Sequence, residues 1–340
     1  MAVDFGEFAE LHDDLRAVAA DVLSRNADWA TLVAAGWVGL EVPEKLGGSG
    51  AGFAEVALIC EELGRAAAST PYLGAAVLAV GVLNTVADGG VRDPLLAGIA
   101  DGTIRAAAVL GEFTVSAAGR LTGHAEFVPD TAGADRLLVP ATDATGADIV
   151  VVADALTITA QPLLDETRSF ATVTADGIEV GGEAVLRADG TAALHNRGAL
   201  AVACDSLGLA EAMLAATVDY AKTRTQFGRA IGSFQAVKHA CADMQVKNSV
   251  ARALIREAID SVAVTAGTDP ASDATAAVAM AKSYACSTAV EVVGKAMQLH
   301  GGIGYTWESG IHVYLKRATF NRSLFGSPAA HRGKLTHRYQ

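Results

Sequence analysis

At 340 residues the chain can bury a large core and divides into two or three domains by length alone. A net charge of −12 argues against nucleic acid as a partner, since a polyphosphate backbone needs a basic face. Hydrophobic residues make up 51% and aromatics only 6%, so the core is built mainly from Ala, Val and Leu, which favours closely packed helices over a large β-sandwich.

Residues 1–104 read as helices. Leu11, Leu15, Val18, Val22 and Leu23 recur at helical spacing, and residues 55–65 and 74–86 behave alike between Gly and Pro punctuation. The acidic start, Met1 to Glu7, lacks a secretory h-region, and the apolar run over 74–83 is too short to span a bilayer. A soluble, cytoplasmic protein with no membrane partner is expected. The glycine-rich stretch 47–52 follows no strand and opens no βαβ unit, so it reads as a loop. Over 105–190 the texture changes to short alternating or β-branched runs (136–140, 148–153, 156–160 and 170–174) between Gly, Asp and Pro turns, which predicts a compact β-domain. From 191 to 340 long helical patterns return, over 200–223, 234–264, 271–300 and 308–324, enough for a four-helix bundle. The fold class is therefore mainly α with a central β-domain. Cys60, Cys204, Cys241 and Cys286 sit apart in apolar helical runs, as small buried hydrophobes of a reducing compartment. With no C-x-x-C and scattered histidines, no metal site is expected.

Two segments in the helical half carry chemistry: RTQFGRAIGSFQ (224–235) and QLHGGIG (298–304). Arg224 offers a fixed positive fork for diphosphate oxygens. Gly301 and Gly302 let backbone N–H groups approach a ligand with no Cβ in the way. Gln235 and Gln298 can donate and accept at an adenine or ribose edge. Taken alone, these residues are possible nucleotide contacts on helices, or polar groups that merely cap and bridge a bundle.

The pattern R-x-Q-F-G-x-x-I-x-x-F-Q followed by Q-x-x-G-G-x-G resembles that of the FAD-dependent acyl-CoA dehydrogenases. The resemblance runs almost end to end: AGWVGLEVPEKLGGSG (35–50) and CEELGR (60–65) look like the family's opening helical domain, and DETR (165–168) like the D-x-T-R segment near the end of its β-domain. It implies an N-terminal helical domain, a middle β-domain and a C-terminal four-helix bundle. It also implies that Arg224, Phe227, Gln235, Gln298, Gly301 and Gly302 hold the ADP part of FAD, much of that hold crossing onto a neighbouring subunit's flavin. The substrate implied is an acyl-CoA thioester, dehydrogenated at its α,β-bond, with an electron-transferring flavoprotein as the common electron acceptor.

The chain departs from the family where the flavin ring and the base belong. No T-E-P-x-x-G-S-D occurs between Val109 and Val139, and Pro129 falls where a hydroxyl residue reaches the flavin; proline offers neither a side-chain donor nor an N–H. Phe325 falls at the commonest position of the carboxylate base. Asp205 is the nearest carboxylate on the helix where other members keep theirs, about two turns beyond the expected place, and it reads either as an unusual base or as a packed helix polar residue. Glu308 suits a helix N-terminus, and Arg197 is a candidate contact to CoA or thioester. Three readings compete. The chain is one subunit of a heteromeric dehydrogenase, like the smaller subunits of α2β2 enzymes of steroid catabolism; or a self-sufficient homo-oligomeric enzyme using Asp205; or a helical scaffold without cofactor.

Overall fold

The computed structural model describes residues 9–25, 28–264 and 271–336. The first eight residues, including the acidic start, lie outside that range. Contacts group the described residues into two units, one holding residues 28–56 and 69–198, the other 9–25, 57–68 and 199–336. Two helices, α3 (Phe53–Arg65) and α6 (Ala193–Thr223), belong in part to each.

The first unit is built on an eight-stranded sheet: β1 (Ala106–Ala108), β2 (Glu112–Val115), β3 (Arg120–Pro129), β4 (Arg136–Asp143), β5 (Asp148–Ala153), β6 (Thr157–Gln161), β7 (Phe170–Glu179) and β8 (Val185–Arg187). The order is β6-β7-β3-β2-β4-β5-β8, with β1 parallel to β4. The four runs expected as strands are β4 to β7. β3 escapes a periodicity reading because register shifts at Leu121/Gly123 and Ala125/Val128 break its alternation. Leu121, Val139, Val151 and Val173 are fully buried and form the sheet's core. Beside the sheet lie α2 (Trp29–Ala34), a π-helix over Leu73–Ala79 that runs on into α4 (Val80–Leu83), and α5 (Arg92–Ala100). The loop reading of residues 47–52 holds: this stretch is turn and irregular backbone.

In the second unit α1 (Ala9–Arg25) turns out differently from its periodicity. His12, Ala19 and Leu23 face inward, whereas Leu11 and Val18 are 56% and 52% exposed. After α6 come a two-residue hairpin of β9 (Thr225–Gln226) and β10 (Arg229–Ala230), then α7 (Gln235–Val264), α8 (Ala271–Leu299), α9 (Ile311–Ser323) and α10 (Pro328–Thr336). Two short 3₁₀ turns, Gly301–Tyr305 and Trp307–Ser309, delay α9, so Glu308 sits in a turn before that helix and not in its first turn. The second half of α3 and α6 touch backbone to backbone: a Cβ on Gly64 would strike the Asp205 carbonyl, and one on Gly208 the Glu61 carbonyl. Only glycine permits that crossing. α6 is long and apolar enough to span a membrane, but 78% of its most apolar window is buried inside the protein, so this surface is core. Cys60, Cys204 and Cys286 are buried thiols as expected; Cys241 is half-buried. Among the described residues no cluster of three or more His, Cys, Asp or Glu could hold a metal.

Candidate functional site

The two chemical segments meet at one end of the bundle. Tyr220, in the last turn of α6, stacks on His300 with ring centroids 4.4 Å apart and an interplanar angle of 19°. Its hydroxyl reaches the His300 carbonyl at 3.4 Å. One turn after Tyr220 comes Arg224, and one residue after His300 comes the Gly301–Gly302 bend. Gly301 has φ +63°, a conformation that favours glycine, and nothing lies within 4 Å of where a Cβ would stand on either glycine. Arg224 is exposed, with no side-chain hydrogen bond or ion pair among the described residues. Gln235 is exposed at the start of α7. Lys295 Nζ donates to the Gln298 carboxamide oxygen at 2.7 Å, which leaves the Gln298 NH₂ as a donor. At the hairpin tip Phe227 is 92% exposed, with φ +54°. Arg229 lies over the Phe234 ring at 4.0 Å.

These residues suit the ADP end of a dinucleotide. The charged fork of Arg224, the diglycine bend and the amides of Gln235 and Gln298 are all exposed, and these are the groups such an end requires. The segment around Pro129 does not suit a flavin ring. Pro129 is buried at the end of β3, the Phe127 N–H donates to Gln161 Oε1 at 3.0 Å, and Asp130 Oδ2 accepts from the Gly74 N–H of the π-helix at 2.8 Å. That stretch is closed onto its own unit and presents no hydroxyl.

The geometry argues against Asp205 as a base. Its carboxylate is 2% exposed: Oδ1 accepts from Arg317 Nε at 3.1 Å and Asn321 Nδ2 at 2.6 Å, while Oδ2 accepts from Arg317 Nη2 at 2.5 Å. Arg317 also donates to the Ala68 carbonyl at 2.7 Å. A base must offer a lone pair to a substrate C–H, and these lone pairs are held by a buried clamp. Arg197 is engaged as well: it pairs with Glu41, donates to the Val77 carbonyl at 2.6 Å and lies over Phe53 at 4.7 Å. Phe325 has φ +54° in a turn braced by Lys282, which is fully buried and donates to the carbonyls of Asn321 and Gly326 at 2.8 and 3.2 Å. His331 Nε2 donates to the Phe325 carbonyl at 2.8 Å.

The CEELGR segment turns out to be an ionic cluster. Arg65 binds Glu61, Glu62 and Glu211 at 3.2, 3.1 and 2.6 Å; Arg252 binds Glu61 and Glu211 at 2.7 and 2.6 Å. Burial pushes the Glu62 carboxyl up, only partly offset by Arg65. Burial also pushes Glu211 upward, but Arg252 and Arg65 together outweigh it and hold that carboxyl low. The Glu-to-Arg spacings of three and four on one helix were the available signal. In the sheet unit, an open groove of about 930 Å³ is lined by Glu112, Thr114, Thr122, Thr142, Thr191 and His195, among others.

Residues 7–103 match the model of the acyl-CoA dehydrogenase N-terminal domain and residues 191–339 that of the C-terminal domain. The chain is 33% identical over 293 residues to the acyl-CoA dehydrogenase IpdE2 of Mycolicibacterium smegmatis, covering 86% of this chain and 81% of the relative. Among solved structures, the Tcur3481–Tcur3483 steroid ACAD variant superposes with a TM-score of 0.84 at 28% identity, covering 97% of this chain and 98% of that one. The ChsE4–ChsE5 complex of Mycobacterium tuberculosis does so with a TM-score of 0.84 at 25% identity, covering 96% of each chain. With its helical, sheet and bundle segments in this order and these relatives along nearly its whole length, the chain belongs to the acyl-CoA dehydrogenase family.

Proposed function

We propose that the chain is one subunit of a heteromeric, FAD-dependent acyl-CoA dehydrogenase of the cytoplasm. In this reading Arg224, Phe227, Gln235, Gln298, Gly301 and Gly302 grip the ADP end of a flavin seated mainly in a partner subunit. When bound, FAD supplies the hydride acceptor for α,β-dehydrogenation of the thioester. Arg224 neutralises diphosphate charge, and the diglycine bend admits phosphate oxygens to backbone N–H groups. The base and the face toward the flavin ring belong to the partner. Domain boundaries at 104/105 and 190/191 go with this reading.

The observation that carries it is the contrast between two ends of one cofactor. Arg224 and the diglycine bend are open to solvent, whereas the positions expected to carry a flavin-facing hydroxyl and a base hold Pro129, Phe325 and the clamped Asp205. Likeness to a two-component ChsE4–ChsE5 complex and to a steroid ACAD supports a partner subunit and a bulky, steroid-type acyl-CoA. Likeness to a chain in a structure of the electron transferring flavoprotein of Acidaminococcus fermentans, matched over 100% of this chain at 25% identity, supports such a flavoprotein as electron acceptor. A self-sufficient homo-oligomer would need a base other than Asp205, and a cofactor-free scaffold leaves the open cluster without a purpose.

Expression alone, and together with an acyl-CoA dehydrogenase encoded beside it, tests the proposal through visible spectra. Flavin absorbance only on co-expression is the expected result. Yellow protein from the chain alone would favour self-sufficiency, and colourless protein in both arrangements would favour the scaffold.

A further inference from the structure

Around the glycine bend the ADP cluster offers mainly donors, Gln235 at the start of α7 being the amide whose oxygen is uncommitted. Arg224 only donates, the glycine bend contributes N–H groups, and Gln298 has committed its oxygen to Lys295. An adenine also carries a donor, its 6-amino group, and a site built to recognise adenine has to accept from it. His300 is placed for this. Its Nδ1 lies 2.8 Å from the Ala296 carbonyl, which can only accept, so Nδ1 carries a proton and Nε2 is the ring nitrogen that offers a lone pair in the neutral tautomer. The ring is half-buried and held flat against Tyr220. Nε2 has no partner among the described residues, and the next residue in the chain is Gly301.

Resting on the proposed function, we propose that His300 is the adenine-selective contact of this site, its Nε2 accepting a hydrogen bond from the 6-amino group. Arg224 and the bend then hold the phosphates without regard to base, and His300 reads the base. The bland alternative is that His300 only caps α8. A cap would affect every nucleotide equally; an acceptor affects only those with the amine.

The test is calorimetric titration of the full chain, with whatever partner subunit co-purifies, using ADP and inosine diphosphate. Inosine diphosphate replaces the amine by a carbonyl oxygen. The wild type should prefer ADP by about tenfold, the scale of one good hydrogen bond. His300→Phe, which keeps the ring against Tyr220, should abolish the preference by weakening ADP alone; His300→Gln, which restores an acceptor, should recover part of it. Equal binding of both nucleotides by the wild type, or an undiminished preference in His300→Phe, overturns the assignment while leaving the proposed function standing. If the flavin-free assembly binds neither nucleotide, the assignment of His300 falls, while flavin uptake on co-expression still decides the proposed function.

Discussion

Arg317 and Asp205 form a bidentate ion pair in which each side chain is only 2% exposed. Asn321 adds a third hydrogen bond to the carboxylate, and Arg317 carries the network on to the Ala68 carbonyl. A desolvated pair of this kind is weak evidence of net stabilisation, but removing one member leaves an uncompensated charge in the core. Asp205→Asn should therefore lower unfolding free energy by about 3–5 kcal/mol, read from urea denaturation. Whatever protein remains folded should show turnover in proportion to its folded fraction. A fully folded variant that had lost all turnover would return Asp205 to the role of base.

The diphosphate contact gives a second prediction. Arg224 is exposed and makes no side-chain bond of its own, so Arg224→Ala should leave the melting temperature within a few degrees. Loss of a charge-assisted contact to phosphate is worth about 1.5–3 kcal/mol, roughly a ten- to hundredfold weaker hold on FAD. The ratio of flavin to protein absorbance in the purified assembly measures it. Unchanged occupancy would remove Arg224 from the site.

Much of this was legible in the sequence, and the reasons differ by residue. The sheet and the long bundle helices show in alternation and in helical spacing because each buries one face. The π-helix over Leu73–Ala79 has no such signature, since all seven of its residues are buried and the run is apolar on every side. The inward face of α1 does not follow its apolar residues, since His12 is buried at 6% while Leu11 and Val18 are exposed. Among site residues, the motif located Arg224, Gln298 and the glycines, but a one-dimensional reading cannot tell that Tyr220 meets His300. Nor could it tell that Asp205 faces Arg317, 112 residues away. Pairings of that separation are set by tertiary packing alone.

The ionic cluster predicts opposite pH slopes for two neighbouring carboxylates. Burial raises the folded-state pKa of Glu62 above its usual range, so the folded form binds the extra proton, and stability from this group declines as pH rises through that raised value. Glu211 is held below its usual range once Arg252 and Arg65 outweigh its burial, so its contribution is present above the ordinary carboxylate pKa and lost as pH falls through the lowered value. Urea midpoints from pH 4 to 8 should show Glu62→Gln gaining on the wild type as pH rises, and Glu211→Gln falling behind it. Parallel pH profiles for the two variants would contradict the assigned environments.

Lys282 supplies the last prediction. It is fully buried, and its ammonium donates to the carbonyls of Asn321, in the last turn of α9, and Gly326, just beyond it. Between those carbonyls the backbone takes φ +54° at Phe325, an unfavourable conformation for a bulky side chain. Such strain persists only where the surroundings over-determine it; Lys282 and His331, the latter on the Phe325 carbonyl, both brace this turn. Lys282→Met keeps the aliphatic stem but removes the donor to the buried Asn321 carbonyl and the half-buried Gly326 carbonyl, at about 1–3 kcal/mol for a buried bond. Amide hydrogen exchange should quicken around residues 324–327 well beyond any change in α8. Uniform acceleration over the whole bundle would mean that Lys282 supports the core at large and not this turn.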